Sequence, residues 1–268
     1  MKHPLCAIMS FTPVKPSVPW TGFDVLLFIA IWLAPLFAGV AAASIASLNQ
    51  PQVEAATEVT QDYGHPIAQL IEQSRNSLLV FLIVFLAVVV VAPIIEEFLF
   101  RMFLQGWLEA KFKQLQVPGA SGIAIVIVSL CFAAIHMGNH GAIEASALLT
   151  GLVVTSIFSM VVFTAGIIYL KEVRDARIAD YFFGTERFFR PWFFTGAGCC
   201  LLVIAACLVL NLSLTNTFPG TNVAPIAIFF FSLALGVLYS RTQNLSYCIL
   251  LHACLNGISL TLLWFGAG

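Results

Sequence analysis

Two adjacent carboxylates and an arginine interrupt an otherwise apolar stretch of the chain. Glu96 and Glu97 are followed by Arg101, and residues 78–92 before them carry no charge. An ionised group inside a bilayer costs about 2.5–3.5 kcal/mol on insertion scales, and such residues usually mark a functional site. Apolar surroundings also favour proton uptake by a carboxylate, which suits it to general-base chemistry. We therefore treat this stretch as the candidate site.

The spacing of these three residues predicts different tasks for the two acids. Successive residues of a helix point about 100° apart, so Glu96 and Glu97 are not expected to face one small target. Arg101 follows Glu97 by four residues, the spacing at which an acid and a base meet on one helix face. We expect a Glu97–Arg101 ion pair and a Glu96 that is free to face a cavity. A structural ion network between two helices would show the same spacing.

Three further polar residues lie in apolar segments. His136 ends one such segment, and His252 and Asn256 lie four residues apart in the last one, on a shared helix face. Counting about 1.5 Å per residue from a marker at the cytoplasmic end of each predicted span (Lys111, Pro118 and Arg241) places these residues and Glu96 at overlapping depths in a hydrocarbon core of about 30 Å. They can therefore converge, provided that residues 78–113 form one long helix that is kinked rather than ended by its proline.

A carboxylate, two histidines and an asparagine can form a complete hydrolytic site. Glu96 can deprotonate a water for attack on an amide carbonyl, while His136 orients that water or passes its proton to the leaving amine. His252 and Asn256 can donate hydrogen bonds to the developing oxyanion, worth roughly 10²–10³ in rate per donor. Each residue taken singly also has a structural explanation, because intramembrane His and Asn side chains often bond a neighbouring helix.

The composition places these residues in a membrane protein. Of the 268 residues, 60% are hydrophobic and 9% are charged, whereas a soluble domain has about 25% charged residues. Several uncharged runs exceed the roughly 18 residues that indicate a membrane span. We predict an all-α, polytopic transmembrane helical bundle with about seven spans (six to eight), formed by residues 1–268 as a single domain. The expected partner is the lipid bilayer, and the net charge of −1 gives no reason to expect nucleic acid.

The apolar runs and the loops between them define the seven predicted spans and their orientation. The predicted spans are residues 20–48, 78–113, 122–137, 143–170, 192–214, 224–240 and 245–265. Alternating spans place every Lys and Arg except Arg75 on one side of the membrane or buried beside it, five of them in the loop of residues 171–190. Because basic loops stay on the cytoplasmic side, the amino terminus is expected to be cytoplasmic.

Three short motifs resemble the signature motifs of one family and occur in its order. They are Glu96-Glu97-x-x-x-Arg101, Phe132-x-x-x-His136 and His252-x-x-x-Asn256. The family is the CPBP or Abi family of intramembrane glutamic endopeptidases, which includes the CAAX-prenyl-protease and bacteriocin-processing types. The resemblance covers about residues 78–138 and 225–260.

The resemblance implies an activity and a role for each motif residue. It implies a metal-independent protease of the bacterial inner membrane that needs no cofactor and cleaves a membrane-associated peptide or protein. The implied roles are the catalytic glutamate for Glu96, water activation for His136, oxyanion stabilisation for His252 and Asn256, and support for Glu97 and Arg101.

Three other functions remain open from the sequence. A zinc-dependent membrane protease could use Glu96, His136 and His252, because two His and one Glu form a known ligand set, although the chain has no His-Glu-x-x-His motif. A transporter could use the same groups as a proton relay, although no inverted repeat is evident. A non-enzymatic immunity or scaffold protein could keep the same fold.

Overall fold

The computed structural model describes most of the chain. The described residues are 18–48, 70–71, 77–136, 145–183 and 224–266, with scattered helical positions between 202 and 217. Within these residues the regular elements are helices: α1 (Gly22–Leu48), α2 (Leu78–Gln114), α3 (Ala120–Ile135), α4 (Ala145–Glu172), α5 (Ile178–Phe183), α6 (Ala224–Thr242) and α7 (Leu245–Gly266). The prediction of an all-α polytopic bundle is confirmed.

Five of the helices in the described part of the chain, α1, α2, α4, α6 and α7, are long and apolar enough to cross a membrane. They correspond to five of the seven predicted spans. Helix α3 was also expected to span, but its 16 residues extend only about 24 Å at 1.5 Å per residue, less than a core of about 30 Å. The predicted span 192–214 lies mostly outside the described residues. The chain is an integral membrane protein.

The segment predicted as a basic loop, residues 171–190, contains a short helix. Helix α5 begins five residues after Val173 and places Tyr181 in the interior, where burial raises the pKa of its phenol to about 12. Residues 184–190 of the predicted loop lie outside the described residues. Part of this segment therefore packs onto the bundle.

Helix α2 is one continuous long helix, as it must be if Glu96 is to lie at the same membrane depth as the two histidines. It runs for 37 residues and widens twice into π-helical turns, at Leu86–Val91 and at Phe98–Gln105. Between them lies the short α-helical segment Ala92–Glu97, with Pro93 in its first turn. Proline cannot donate a backbone hydrogen bond, and π-helical turns tolerate such a break and often occur at functional sites. The acid pair thus lies between two irregular turns.

Helix α1 packs closely along α4. A Cβ atom on Gly39 would lie 2.8 Å from the carbonyl oxygen of Gly151 and 1.8 Å from Oγ1 of Thr155, so the two backbones approach through glycine. Small residues allow this close approach between membrane helices. The pair of helices forms one side of the bundle.

A buried carboxylate joins the beginning of α1 to the end of α4. Asp24 accepts hydrogen bonds from the Tyr169 hydroxyl at 2.6 Å and from Arg174 Nη2 at 2.7 Å, and the backbone N–H of Thr21 donates to it at 2.6 Å. The hydrogen bond to Asp24 raises the pKa of the Arg174 guanidinium above its usual value. The charge of Asp24 is thus compensated although the residue is fully buried.

Candidate active site

Glu97 is the centre of a buried polar cluster between α2 and α7. Its Oε2 accepts a hydrogen bond from Arg101 Nε at 2.9 Å, and its Oε1 lies 2.9 Å from Nδ1 of His252. Both Glu97 and Arg101 have 0% exposure. The ion pair expected from the four-residue spacing is present, and it continues to His252, a link that the sequence did not indicate.

Glu96 approaches the other edge of the same imidazole. Its Oε2 lies 3.8 Å from Nε2 of His252, which is too far for a direct hydrogen bond. This oxygen is buried, and no residue in the described ranges forms a hydrogen bond with it. The Glu96 side chain keeps 19% exposure, so it is the more accessible of the two acids.

The expectation that Glu96 and Glu97 cannot face one small target is therefore wrong. The angle of about 100° between neighbours fixes the directions of their Cβ atoms but not the positions of their carboxylates. The His252 ring offers nitrogen atoms on two of its edges, and one acid approaches each of them.

The partners of His252 determine which of its nitrogens carries a proton. A carboxylate that is paired with arginine only accepts hydrogen bonds, so we assign the hydrogen to Nδ1, which donates to Glu97. Nε2 is then the nitrogen directed toward Glu96. The rings of Phe132 and Phe231 approach the imidazole edge-on, each at a centroid distance of 5.7 Å, and hold its orientation.

His136 lies at the carboxyl end of α3. Its backbone N–H bonds the carbonyl of Ala133, three residues back, so the carbonyl of Phe132 lacks the usual helical donor. Nδ1 of His136 donates to that carbonyl at 2.7 Å. Its ring lies against the Phe132 ring at 4.9 Å between centroids, with the two planes tilted by 38°, so Phe132 contacts both histidines.

His136 thus lies one aromatic ring away from the cluster around Glu97. In the described part of the chain, it forms no ion pair with Glu96 or Glu97. No group of three or more His, Cys, Asp or Glu side chains among the described residues is placed to hold a metal ion. The ligand set needed by the zinc-protease alternative is not assembled in this arrangement.

Asn256 lies one turn after His252 and bonds the backbone of α2. Its Nδ2 donates to the carbonyl of Val88 at 2.9 Å. The backbone N–H of Ala92 bonds Ala87, and Pro93, five residues after Val88, has no N–H. The Val88 carbonyl therefore lies outside the backbone ladder, and the asparagine supplies its donor. The second hydrogen of the amide is left for another acceptor.

Two polar residues of the cluster were not found from the sequence. Arg101 Nη2 donates to the hydroxyl of Ser232 at 2.8 Å, and Gln105 Nε2 donates to the carbonyl of Gly236 at 2.9 Å. Gln105 continues the four-residue spacing of Glu97 and Arg101, which is a signal that could have found it. Ser232 is an isolated serine among apolar residues, and nothing in its spacing distinguishes it.

The fold and the polar cluster together define the class of protein. The chain is a helical membrane protein in which the side chains of Glu96, Glu97 and His252 meet inside the bundle, in largely apolar stretches of two helices. Such a cluster of ionisable groups within spans is typical of a functional site.

A comparison with known families identifies the group within that class. The chain matches the family model described as Rce1-like, type II CAAX prenyl endopeptidase Rce1-like, over residues 78–173 and 181–258. The match covers more than half of the 268 residues, and the chain belongs to this family. No curated protein and no solved structure matches it.

Family membership confirms the resemblance seen in the motifs. The chain is a membrane-embedded peptide hydrolase of the CAAX endopeptidase type. The matched ranges include α2, α3, α4, α6 and most of α7, and therefore every residue of the candidate site. Helix α1 lies outside them.

Proposed function

We propose that this protein is a glutamic intramembrane endopeptidase that hydrolyses a peptide bond in a membrane-associated peptide or protein. The observation that carries the proposal is the buried Glu96 Oε2, which has no hydrogen-bond partner in the described residues and lies 3.8 Å from Nε2 of His252. A water held by both atoms would satisfy this oxygen, since buried waters typically bond otherwise unsatisfied polar groups.

In the proposed reaction, Glu96 is the general base. It takes a proton from the held water while the water oxygen attacks the carbonyl carbon of the scissile amide. The tetrahedral intermediate then collapses, and the C–N bond breaks as the leaving nitrogen takes up a proton. We assign this proton transfer to His136. Its Nδ1–H is held by the carbonyl of Phe132, so its Nε2 can take up, through a bridging water, the proton that Glu96 removed and pass it to the leaving nitrogen.

His252 and Asn256 are assigned to the oxyanion. A protonated His252 can donate from Nε2 while Nδ1 donates to Glu97. Asn256 can donate its second amide hydrogen, because the first is fixed on Val88. Glu97 and Arg101 act as support, since they hold the imidazole in one orientation.

An apolar cleft beside the acid pair supports a membrane-associated substrate. It has a volume of about 420 Å³, and Val89, Ile94, Phe163 and Ala253 are among the residues that line it. Ile94 precedes Glu96 by two residues, and Ala253 follows His252. The apolar part of an anchored peptide can pack in this cleft while its polar backbone reaches the acids.

The basic residues of the chain support a membrane location and an orientation. We propose a multi-pass protein of the bacterial inner membrane with a cytoplasmic amino terminus, because all basic residues but Arg75 fall on one side of the predicted spans or beside it. We also propose that residues 1–268 act as one domain, with no cofactor and no bound metal.

Cleavage of defined peptides tests the proposed function. The purified protein in lipid vesicles receives two fluorogenic probes, a farnesylated peptide that ends in a CAAX sequence and a peptide anchored by an apolar helix. We expect cleavage of at least one probe by the wild type and its loss in Glu96→Gln and in His252→Ala.

A matched acid on the same helix is the control. Glu109 is buried on α2 and pairs with Lys113 at 2.8 Å, so Glu109→Gln changes a buried carboxylate away from the site and is expected to retain cleavage. Full activity in both site variants would refute the assigned site. No cleavage by the wild type would favour an immunity or scaffold role.

A further inference from the structure

We propose that Ser232 of α6 is a positioning residue for this hydrolysis and acts on His252 through Arg101 and Glu97. The inference rests on the proposed function and adds a residue that lies outside the three motifs. The chain of contacts that carries it runs through the bundle interior from α6 to α2 to α7.

Each contact in this chain is short and buried. Ser232 Oγ accepts from Arg101 Nη2 at 2.8 Å, Arg101 Nε donates to Glu97 Oε2 at 2.9 Å, and Glu97 Oε1 accepts from His252 Nδ1 at 2.9 Å. Ser232, Arg101 and Glu97 have 0% exposure and His252 has 5%. With so little access to solvent, each group depends on its protein partner for hydrogen bonding.

The guanidinium contacts explain why the serine matters. Arginine prefers to bind a carboxylate with two parallel N–H groups, one for each oxygen. Here only Nε faces Glu97, while Nη2 is engaged by Ser232, so Oε1 of Glu97 stays available to His252. Without the serine hydroxyl, Nη2 is free to turn to Glu97 and compete with His252 Nδ1 for Oε1.

The position of Ser232 is itself held by close packing one turn further along α6. Gln105 Nε2 bonds the carbonyl of Gly236 at 2.9 Å, and a Cβ on Gly236 would lie 2.8 Å from Cγ2 of Ile125 on α3. Because α6 is fixed against both neighbours, the hydroxyl of Ser232 has a defined direction toward Arg101.

A serine of the neighbouring helix provides a matched control. Ser129 of α3 also has 0% exposure, but its hydroxyl has no hydrogen-bond partner in the described ranges. Ser129→Ala therefore removes a buried hydroxyl of the same kind without affecting Arg101. Both alanine variants are compared with Ser232→Thr, which keeps the hydroxyl.

The kinetic test uses the peptide probe that the wild type cleaves. We expect Ser232→Ala to lower kcat about tenfold at unchanged KM, similar to the loss when a residue that orients a functional histidine is removed. Ser129→Ala stays within twofold of the wild type, and Ser232→Thr recovers most of kcat. Equal values of kcat for Ser232→Ala and Ser129→Ala would overturn the inference. If the Ser232→Thr variant does not fold, the comparison of kcat between Ser232→Ala and Ser129→Ala still tests the role of Ser232.

A spectroscopic test separates this inference from the proposed function. In protein labelled with ¹⁵N-histidine, His252 is assigned by the loss of its signals in His252→Ala. We expect Nδ1 to be protonated in the wild type and in Ser129→Ala, and the Nδ1 signal to move in Ser232→Ala. An unchanged His252 spectrum in Ser232→Ala overturns the inference whatever the activity, whereas unchanged cleavage in Glu96→Gln overturns the proposed function alone.

Discussion

The carboxylate of Glu97 and the imidazole of His252 are joined by a 2.9 Å hydrogen bond although they lie 155 residues apart in the chain. This contact ties the long kinked helix α2 to the last helix α7 within the bundle. It also selects the nitrogen of His252 that faces Glu96. Both the activity and the stability of the protein should therefore depend on Glu97.

Glu97→Gln tests this dependence. The amide keeps one acceptor oxygen, but its NH₂ group meets a donor, either Arg101 Nε or His252 Nδ1, so a buried arginine loses its charge partner. Removal of one member of a buried ion pair typically costs about 3–5 kcal/mol, and loss of the group that orients a catalytic histidine lowers kcat by roughly 10²–10⁴. Thermal unfolding in detergent and probe cleavage measure the two effects.

The control for Glu97→Gln is again Glu109→Gln. Lys113, which forms an ion pair with Glu109, has 48% side-chain exposure, and ion pairs with such access to water contribute about 0–1 kcal/mol. The Ser121 hydroxyl also donates to Glu109, and the amide oxygen of glutamine can accept the same bond. We expect a small change in unfolding temperature and full activity. A Glu97→Gln protein that is as stable and active as the Glu109→Gln protein would contradict the importance of the Glu97–His252 contact.

The bond from Asn256 to Val88 predicts a coupling with Pro93. Asn256→Ala leaves the Val88 carbonyl without its donor and should cost about 1 kcal/mol in the free energy of unfolding. Pro93→Ala supplies an N–H at position 93, so that the backbone ladder can close on this carbonyl. In the Pro93→Ala background, Asn256→Ala should therefore cost much less.

A double-mutant cycle measures this coupling by denaturant unfolding of the four proteins. The expected interaction free energy is about 0.5–1 kcal/mol. Equal losses for Asn256→Ala in the two backgrounds would mean that the asparagine does not replace the hydrogen bond that proline removes.

The packing of α1 on α4 predicts different outcomes for two glycines. In Gly39→Ala the new methyl group meets the backbone carbonyl of Gly151 at 2.8 Å, so the helices must separate, at a cost of about 1–3 kcal/mol. In Gly122→Ala, on α3, the methyl group meets nothing within 4 Å, and the better helix propensity of alanine favours the folded state by up to about 1 kcal/mol. The unfolding temperatures of the two variants in detergent measure this difference. If the Gly39→Ala protein is no less stable than the Gly122→Ala protein, α1 and α4 are not in close contact.

Removal of metal ions tests the zinc alternative directly. The proposed water activation depends on Glu96 and on histidine side chains and requires no metal, so probe cleavage should persist after prolonged dialysis against a strong chelator. The same protein is then supplied with Zn²⁺, which should not increase the rate. Activity that is lost on chelation and restored by Zn²⁺ would favour the zinc protease.

Much of the fold could be predicted because the bilayer simplifies the relation between sequence and structure. Apolar runs of sufficient length must form helices in lipid, since no water is present to bond the backbone. The bounds of α1, α2, α6 and α7 follow the predicted spans within a few residues. The bounds of α3 also agree within two residues, but its 16 residues are too few to cross a hydrocarbon core of about 30 Å, so the prediction of a span there was wrong.

The site could be predicted only in part, because spacing reports on one helix at a time. The four-residue spacing was sufficient for the Glu97–Arg101 pair, since both residues lie on α2. It could not show that His252 bonds Glu97 rather than Glu96, that Phe132 lies between the two histidines, or that Asn256 bonds Val88. These contacts depend on how α3 and α7 are rotated against α2.

The sequence by itself determined a helical membrane protein, the acid–base pair on α2 and the set of polar residues within apolar helices. Only the tertiary structure decided which nitrogen of His252 faces which acid, and that Ser232 completes the cluster from α6. The physical reason is that a helix fixes the direction of each Cβ from local geometry alone. The partner of a buried polar atom, in contrast, is set by packing between helices that are distant in the sequence.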